Sequence, residues 1–261
     1  MDKHHDFKFC ASYKMSDGIR SCIFEQICEH PLDLATDFEN QVTRPVKYTL
    51  LHDFILDYIV GYIDFELNDA IGNDDCGREI IEWCQEYGIE LMSVEQYNES
   101  AGVVDDSEDE PDMFEYIFTY LREVAIDELA PQIQVEVFNL LYADRCFLIE
   151  FNKLIANDIK EMAKEDYPFL LKRDGVVNRA TYWPAWLKRA LFCREKGLCA
   201  VCKTDLSSLH HTSGKTAIDH MVPLNLGGVN DATNLQLLCE SCNLSKLGDQ
   251  IVTTNLHPTF W

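Results

Sequence analysis

No apolar run in these 261 residues approaches the roughly 18 that a membrane span requires. The opening Met1-Asp2-Lys3-His4-His5 also lacks the basic-then-apolar order of a secretory leader. Both absences predict a cytosolic protein in a reducing compartment, with no membrane contact. Internal repeats and low-complexity tracts are missing too, which sets aside repeat architectures. Positive charge is scarce: 22 Lys and Arg stand against 45 Asp and Glu, a formal charge of −23. That balance poorly matches a surface built to approach phosphates. Eleven cysteines do not make a disulfide framework, because the number is odd, the chain is long and no export signal is seen. Cys10, Cys22, Cys28, Cys76, Cys84, Cys146 and Cys193 share no metal-ligand spacing and read as free, mostly buried thiols.

A hydrophobic content of 47% over this length allows one large or two modest domains with a sizeable core. Charge is unevenly placed. The first 186 residues carry fifteen basic and thirty-nine acidic side chains, net −24, whereas residues from Leu187 onward carry seven and six, net +1. Residues 1–45 show no clean period. Leu51, Phe54, Ile55, Tyr58, Ile59, Tyr62 and Ile63 then follow i, i+3, i+4, i+7 spacing and predict an amphipathic helix. Further helices are predicted from Arg78 to Tyr87, ended by Gly88, from Phe114 through Leu121, and after Pro131 with Phe147, Phe151, Ile155 and Ile159 on one face. The acidic run Asp105 to Asp112 repels itself and reads as an exposed loop. The expected layout is α+β: a mostly helical acidic domain over 1–165, regulatory or partner-binding, a connector over 166–183, and a small C-terminal unit over 184–261. A short basic helix from Pro184 to Lys196 opens that last unit, with Pro suited to the first turn and Gly197 breaking it.

Cys199-Ala-Val-Cys202 and Cys239-Glu-Ser-Cys242 form two C-x2-C pairs 36 residues apart, able to close tetrahedrally on Zn²⁺. The rival reading is four more buried thiols, but Lys203 and Asp205 beside the first pair argue for a surface knuckle. Between the pairs lie Asp219-His220, Pro223-Leu224, Gly227-Gly228 and Asn234-Leu235, and after them Asn243 and Lys246. Over about Leu191 to Asp249 this succession resembles the HNH endonuclease family, with its ββα-metal fold, although Asn243 stands where many members carry His. The resemblance implies a hairpin around Ile218, turned by Gly227 and Gly228, and a helix from Cys239 to Leu247 packed across it. Zinc would staple this unit, which is too small to bury enough apolar surface alone.

The roles follow from chemistry and from that resemblance. His220, neutral at pH 7 at its ordinary pKa, suits a general base taking a proton from the attacking water. Asp219 and Asn243 offer hard oxygen ligands for a catalytic Mg²⁺ or Mn²⁺ that polarises the phosphate. The family pattern implies that Asn234 pins the hairpin loop and orients His220, and that products carry 5′-phosphate and 3′-hydroxyl ends. Lys246, one turn after Asn243, is placed to meet the phosphate. Adjacent strand residues point to opposite faces, so Asp219 and His220 can share one phosphate only near a strand end or distortion. Lys188, Arg189, Arg194, Lys196 and Lys203 make the one dense basic cluster, either a phosphate contact or a solvated helix face. His210 and His211, in a Ser/Thr-rich loop, are minor candidates for a metal or catalytic role.

The favoured expectation is an HNH DNA endonuclease recruited or regulated through its acidic domain by a protein partner. The architecture of family members suggests a bacterial or phage defence effector. A non-catalytic zinc module gripping nucleic acid or protein is the alternative, separated from it by the intact set Asp219, His220, Asn234 and Asn243. An RNA nuclease of the same fold is weaker, since no aromatic platform for single strands is visible in the sequence.

Overall fold

Helix-period burial organises most of the chain. The computed structural model describes residues 6–27, 30–68, 77–101, 116–207, 216–246 and 248–256. Among these, α1 (Ser12–Glu25), α2 (Phe38–Thr43), α3 (Leu50–Asn68), α4 (Arg78–Glu86) and α5 (Val94–Ala101) come first. A helical stretch follows, π-wound over Tyr116–Leu121 and Ala125–Leu129, and continuing as α6 (Ala130–Ala143). Pro131 has no N–H and its ring displaces the carbonyl four residues back, which accounts for the widened turn before it. Then come α7 (Arg145–Glu161), a hairpin of β1 (Leu171–Arg173) and β2 (Val176–Val177), α8 (Ala185–Arg194), β3 (Thr216–His220), β4 (Leu235–Cys239) and α9 (Glu240–Lys246). The fold is α+β, with two separate two-stranded antiparallel sheets among the described residues. Among the described residues no helix is long and apolar enough to cross a membrane.

Several sequence expectations change in detail. Residues 1–45, which had no assignable period, contain α1 and α2. The single helix expected after Pro131 is two helices, because Asp144 leaves the helical region and caps the second through Cys146 N at 3.0 Å and Phe147 N at 3.1 Å. Among the described residues, the cysteines outside the C-x2-C pairs are not mostly buried. Of the described five outside the zinc motif, Cys84 is buried, Cys22 is half-buried, and Cys10, Cys146 and Cys193 are exposed. Average burial of a residue type says nothing about which helix face a given position occupies. Cys28, Cys76, the Asp105–Asp112 run, His210 and His211 lie outside the described residues.

Two compact units emerge, Met1–Ile19 with Ile55–Phe138, and Arg20–Phe54 with Asn139–Trp261. The division falls within α1, α3 and α6, whereas the sequence reading drew its boundaries at 165 and 183. It sorts charge sharply. The first unit holds five basic and twenty-six acidic residues, net −21, and the second seventeen and nineteen, net −2. In the first unit the buried Glu136 carboxylate accepts from Lys8 N at 2.6 Å, Phe9 N at 2.9 Å and the Tyr87 hydroxyl at 2.7 Å, and also from Ser12. It thereby ties the entry of α1 to α6 and to the end of α4.

In the second unit, Leu187 and Leu191 of α8 pack with Ala200, Leu206, Leu235 and Leu238 into a continuous core. α7 belongs to this unit through an ionic triad. The Glu195 carboxylate lies between Arg145, which it pairs directly, and Arg194 at 2.8 Å, and all three side chains are 1% exposed. Arg145 also donates to Thr254 O at 2.6 Å, and the Arg194 guanidinium lies 4.8 Å over the Tyr142 ring. Removing the shared acid strands two buried guanidiniums. Glu195→Ala is therefore expected to lower unfolding free energy by about 3–5 kcal/mol. Urea denaturation checks this, and a change well under 1 kcal/mol would show that the triad is not what holds α7 to α8.

His52, in the first turns of α3, is buried, and its Nδ1 accepts from Thr49 N at 3.0 Å. Burial pushes its pKa down to about 4. Above about 6.5 both folded and unfolded states are neutral, so the group has no effect there. As pH falls from 6.5 towards 4 the unfolded chain takes the proton first and folding stability is lost, by about 3 kcal/mol in full. His52→Gln should accordingly show a shallower loss of urea midpoint across that window than the native chain. Parallel curves would contradict the assignment.

Candidate active site and metal centre

The two C-x2-C turns meet. The sulfurs of Cys199, Cys202, Cys239 and Cys242 all lie within 4.8 Å of one another, and Cys202 Sγ is 3.7 Å from Cys239 Sγ. A tetrahedral zinc with ~2.3 Å bonds places its sulfurs about 3.8 Å apart, so this donor set fits the ion. The turns are shaped locally. Lys203 takes a left-handed conformation at φ 63° and its N–H returns to Cys199 O at 3.1 Å, while Cys242 N donates to Cys239 Sγ at 3.4 Å. Among the described residues this is the single group of three or more His, Cys, Asp or Glu able to hold a metal ion.

β3 and β4 pair from Thr216 opposite Cys239 to His220 opposite Leu235, and α9 follows directly from β4. The zinc cluster therefore closes one end of the ββ hairpin and starts the helix that packs on it. At the other end the chain turns through Gly227 and Gly228. A Cβ at Gly228 would come within 1.9 Å of Val222 O, and Gly227 has φ 86°, so both positions demand glycine. Asn234 pins that turn: Val222 N donates to its Oδ1 at 2.8 Å, and its Nδ2 donates to Val222 O and Val229 O, each at 2.9 Å.

His220 ends β3 and is 4% exposed. Its ring is held by Asn230 rather than by Asn234. Asn230 Nδ2 donates to Asn178 O at 2.8 Å, which turns its Oδ1 towards Ala180 N and His220 Nε2, each at 3.1 Å. An amide oxygen only accepts, so Nε2 carries the hydrogen and Nδ1 carries the lone pair. Trp183 lies edge-on to the imidazole at 5.9 Å. Burial is the largest influence on its pKa and lowers it to about 4; Arg179 and Lys246 act in the same direction, and Asn230 and Asp219 oppose. The imidazole is neutral at pH 7.

Asp219 pairs across the hairpin with Gln236, whose Nε2 donates to Oδ2 at 3.0 Å. The same Oδ2 receives Lys246 Nζ at 2.5 Å, and Nζ also donates to His220 O and, at 3.5 Å, to Met221 O. Lys246 is buried, and burial lowers its pKa against the pull of Asp219. Its three donors are thus directed into the end of β3, where they hold the Asp219-His220 step, and not at a phosphate. Asp219 and His220 nevertheless line one cleft of about 200 Å³, together with Lys246, Lys172 and Arg179. The strand end resolves the alternation of adjacent residues. Asn243 sits on α9, half-buried, and is not among the residues lining this cleft.

The basic cluster divides. Arg194 is buried in the ion-pair triad and Lys203 Nζ donates to Ala200 O at 2.9 Å within its own turn, so neither is presented to a phosphate. The sequence carried no sign that Glu195 is the buried partner of Arg194. Lys188, Arg189 and Lys196 are exposed, away from the cleft lining. Sequence reasoning missed Asn230, Lys172 and Arg179. The expected connector over 166–183 is a wall of the cleft, with Lys172 on β1 and Arg179 just past β2. The apolar pairs Leu170-Leu171 and Val176-Val177 about the turn residues Asp174-Gly175, with Lys172 between them and Arg179 just after, were the available signal.

Residues 199–247 match the family model described as HNH endonuclease, and this C-terminal segment is an HNH endonuclease domain with a four-cysteine site that fits structural zinc. No curated protein and no solved structure gives a significant match to the chain.

Proposed function

We propose that the chain is a divalent-metal-dependent endonuclease that hydrolyses phosphodiester bonds in DNA at the Asp219-His220 cleft. The observation that carries this reading is the tautomer of His220: Asn230 occupies Nε2–H, which leaves a neutral imidazole with its lone pair on Nδ1 at a cleft flanked by two cations. His220 Nδ1 takes the proton of the attacking water as the new P–O bond forms. The P–O3′ bond breaks and the leaving oxygen takes a proton from solvent water, giving 5′-phosphate and 3′-hydroxyl ends. Arg179 and Lys172 offset charge on the phosphate oxygens.

Asp219 fits a hard divalent ion in a limited way. Lys246 and Gln236 both engage Oδ2, which leaves Oδ1 as the donor, and the side chain is 20% exposed. Mg²⁺ accepts such an arrangement, one carboxylate completed by waters and a substrate phosphate oxygen. Bound there, the ion supplies polarisation of the scissile phosphate. Asn243, on α9, is the second proposed ligand. The acidic first unit is proposed as the surface through which a basic protein partner recruits or regulates the nuclease, supported by its net −21 against −2 for the second unit.

The test is incubation of the purified chain with plasmid in Mg²⁺, Mn²⁺ or EDTA, with and without the product of a neighbouring gene. Nicking or linearisation is expected with either ion and none with EDTA. Cutting that survives EDTA, or no cutting with both ions and the partner present, would overturn the proposal.

A further inference from the structure

A second concavity, of about 770 Å³, adjoins the cleft and shares Arg179 with it. Arg44, Lys47, Phe169, Tyr182 and Trp186 line it with Arg179, and among the described residues none that lines it is acidic, in a chain with twice as many acids as bases. Phe169 is 95% exposed and Tyr182 71% exposed. Large aromatic side chains left in water along a cationic groove are unusual, and the fold itself gains nothing from them.

The groove is also built. Its three segments converge on Asn230, the residue that holds His220. Asn230 N donates to Val42 O at 2.9 Å, just before the Arg44–Lys47 segment, and its Nδ2 donates to Asn178 O. Asn178 Nδ2 in turn donates to Phe169 O at 3.1 Å, and Ala180 N donates to Asn230 Oδ1 ahead of Tyr182. One buried side chain thus sets the groove and the proposed base in fixed relation.

We propose that this groove binds unpaired bases of single-stranded DNA next to the phosphate at the cleft, with Phe169 and Tyr182 stacking on the bases and Arg44, Lys47 and Arg179 holding the backbone. The proposal deepens the nuclease reading by naming its substrate as DNA that is single-stranded or locally unpaired. Base faces are available to aromatic side chains only when they leave the duplex stack, so an intact duplex offers this groove phosphates alone. Near-neutral charge in the second unit makes the missing stacking a large share of the total attraction. The sequence reading found no such platform, because its members come from residues 44, 47, 169, 179, 182 and 186 and are joined only by folding.

The experiment is fluorescence anisotropy at about 0.15 M salt in buffer without Mg²⁺, Mn²⁺ or chelator, which leaves the zinc site intact, with the full chain and labelled oligonucleotides of one sequence as single strand, blunt duplex, forked duplex and single-stranded RNA. Single-stranded and forked DNA should bind at least tenfold tighter than the blunt duplex. Phe169→Ala and Tyr182→Ala should each weaken single-strand binding by about tenfold while changing duplex binding less than twofold. Both side chains are exposed, so folding is not at stake. Equal affinity for single strand and blunt duplex, or unchanged single-strand affinity in the double variant, would overturn the proposal. RNA binding more than tenfold tighter than DNA would overturn the assignment to DNA. Because Mg²⁺ and Mn²⁺ are left out and binding alone is read, these outcomes are independent of whether the chain is a nuclease.

Discussion

His220→Ala is expected to reduce Mg²⁺-dependent DNA cleavage by about 10²–10⁴-fold, the range for loss of a positioned general base. Zinc content should stay at the native level, because His220 touches none of the four cysteines. The cavity left by the imidazole is flanked by Trp183 and Asn230, and Asn230 keeps its contacts to Val42 and Asn178, so the groove and cleft walls persist. Asp219 needs a gentler change. Alanine there would leave the buried Lys246 ammonium without its carboxylate, confounding activity with folding. Asp219→Asn retains an oxygen for Lys246 and Gln236 and should lose metal-dependent cleavage with zinc intact. Single-turnover cleavage, zinc analysis and thermal unfolding on each variant separate these effects. A His220→Ala chain that cuts at the native rate would remove His220 from the chemistry.

Cys202→Ser and Cys239→Ser are expected to abolish tight zinc binding and unfold the hairpin of β3 and β4 together with α9. Structural zinc in small units contributes about 10–16 kcal/mol of apparent binding free energy, more than the remaining core of such a unit supplies. Cys199 and Cys239 are themselves members of that core, so loss of the ion also loosens Leu235 and Leu238 around them. The consequence reaches the cleft, because Asp219 and His220 lie on β3 and Lys246 on α9. Metal analysis should find one zinc per native chain, and amide exchange should show protection lost across 216–246 in the variants or after strong chelation. Native protein never exposed to chelator and holding well under one zinc, or variants with unchanged protection, would count decisively against the zinc centre.

The division between local and distant information is visible in particular residues. Zinc ligation needs two sulfurs three positions apart on one tight turn, a constraint satisfied within four residues, so Cys199-Cys202 and Cys239-Cys242 were legible as a pair of turns that seek each other. The glycines, Asn234 and the Asp219-His220 step sit at short, fixed spacings on one hairpin, and α3 and α4 announced themselves by a broad apolar period. α1 did not, because its stripe is narrow: Ala11, Met15, Ile19 and Ile23 recur only every fourth residue.

What the amino-acid order determined by itself was therefore the α+β class and a C-terminal unit with two C-x2-C turns, both legible from short-range spacing. Tertiary structure alone decided that Asn230 holds the His220 ring, that Lys246 turns inward to Asp219, that Arg194 is buried against Glu195, and that Lys172 and Arg179 stand at the cleft. It also moved α7 and residues 20–54 into the unit that carries the nuclease domain, leaving the acidity in the other. The physical reason is common to all of these. A charged or amide side chain has the same appearance in a sequence whether its partner is water or a buried group 50 or 188 positions away, and only the packed chain determines which of the two satisfies it.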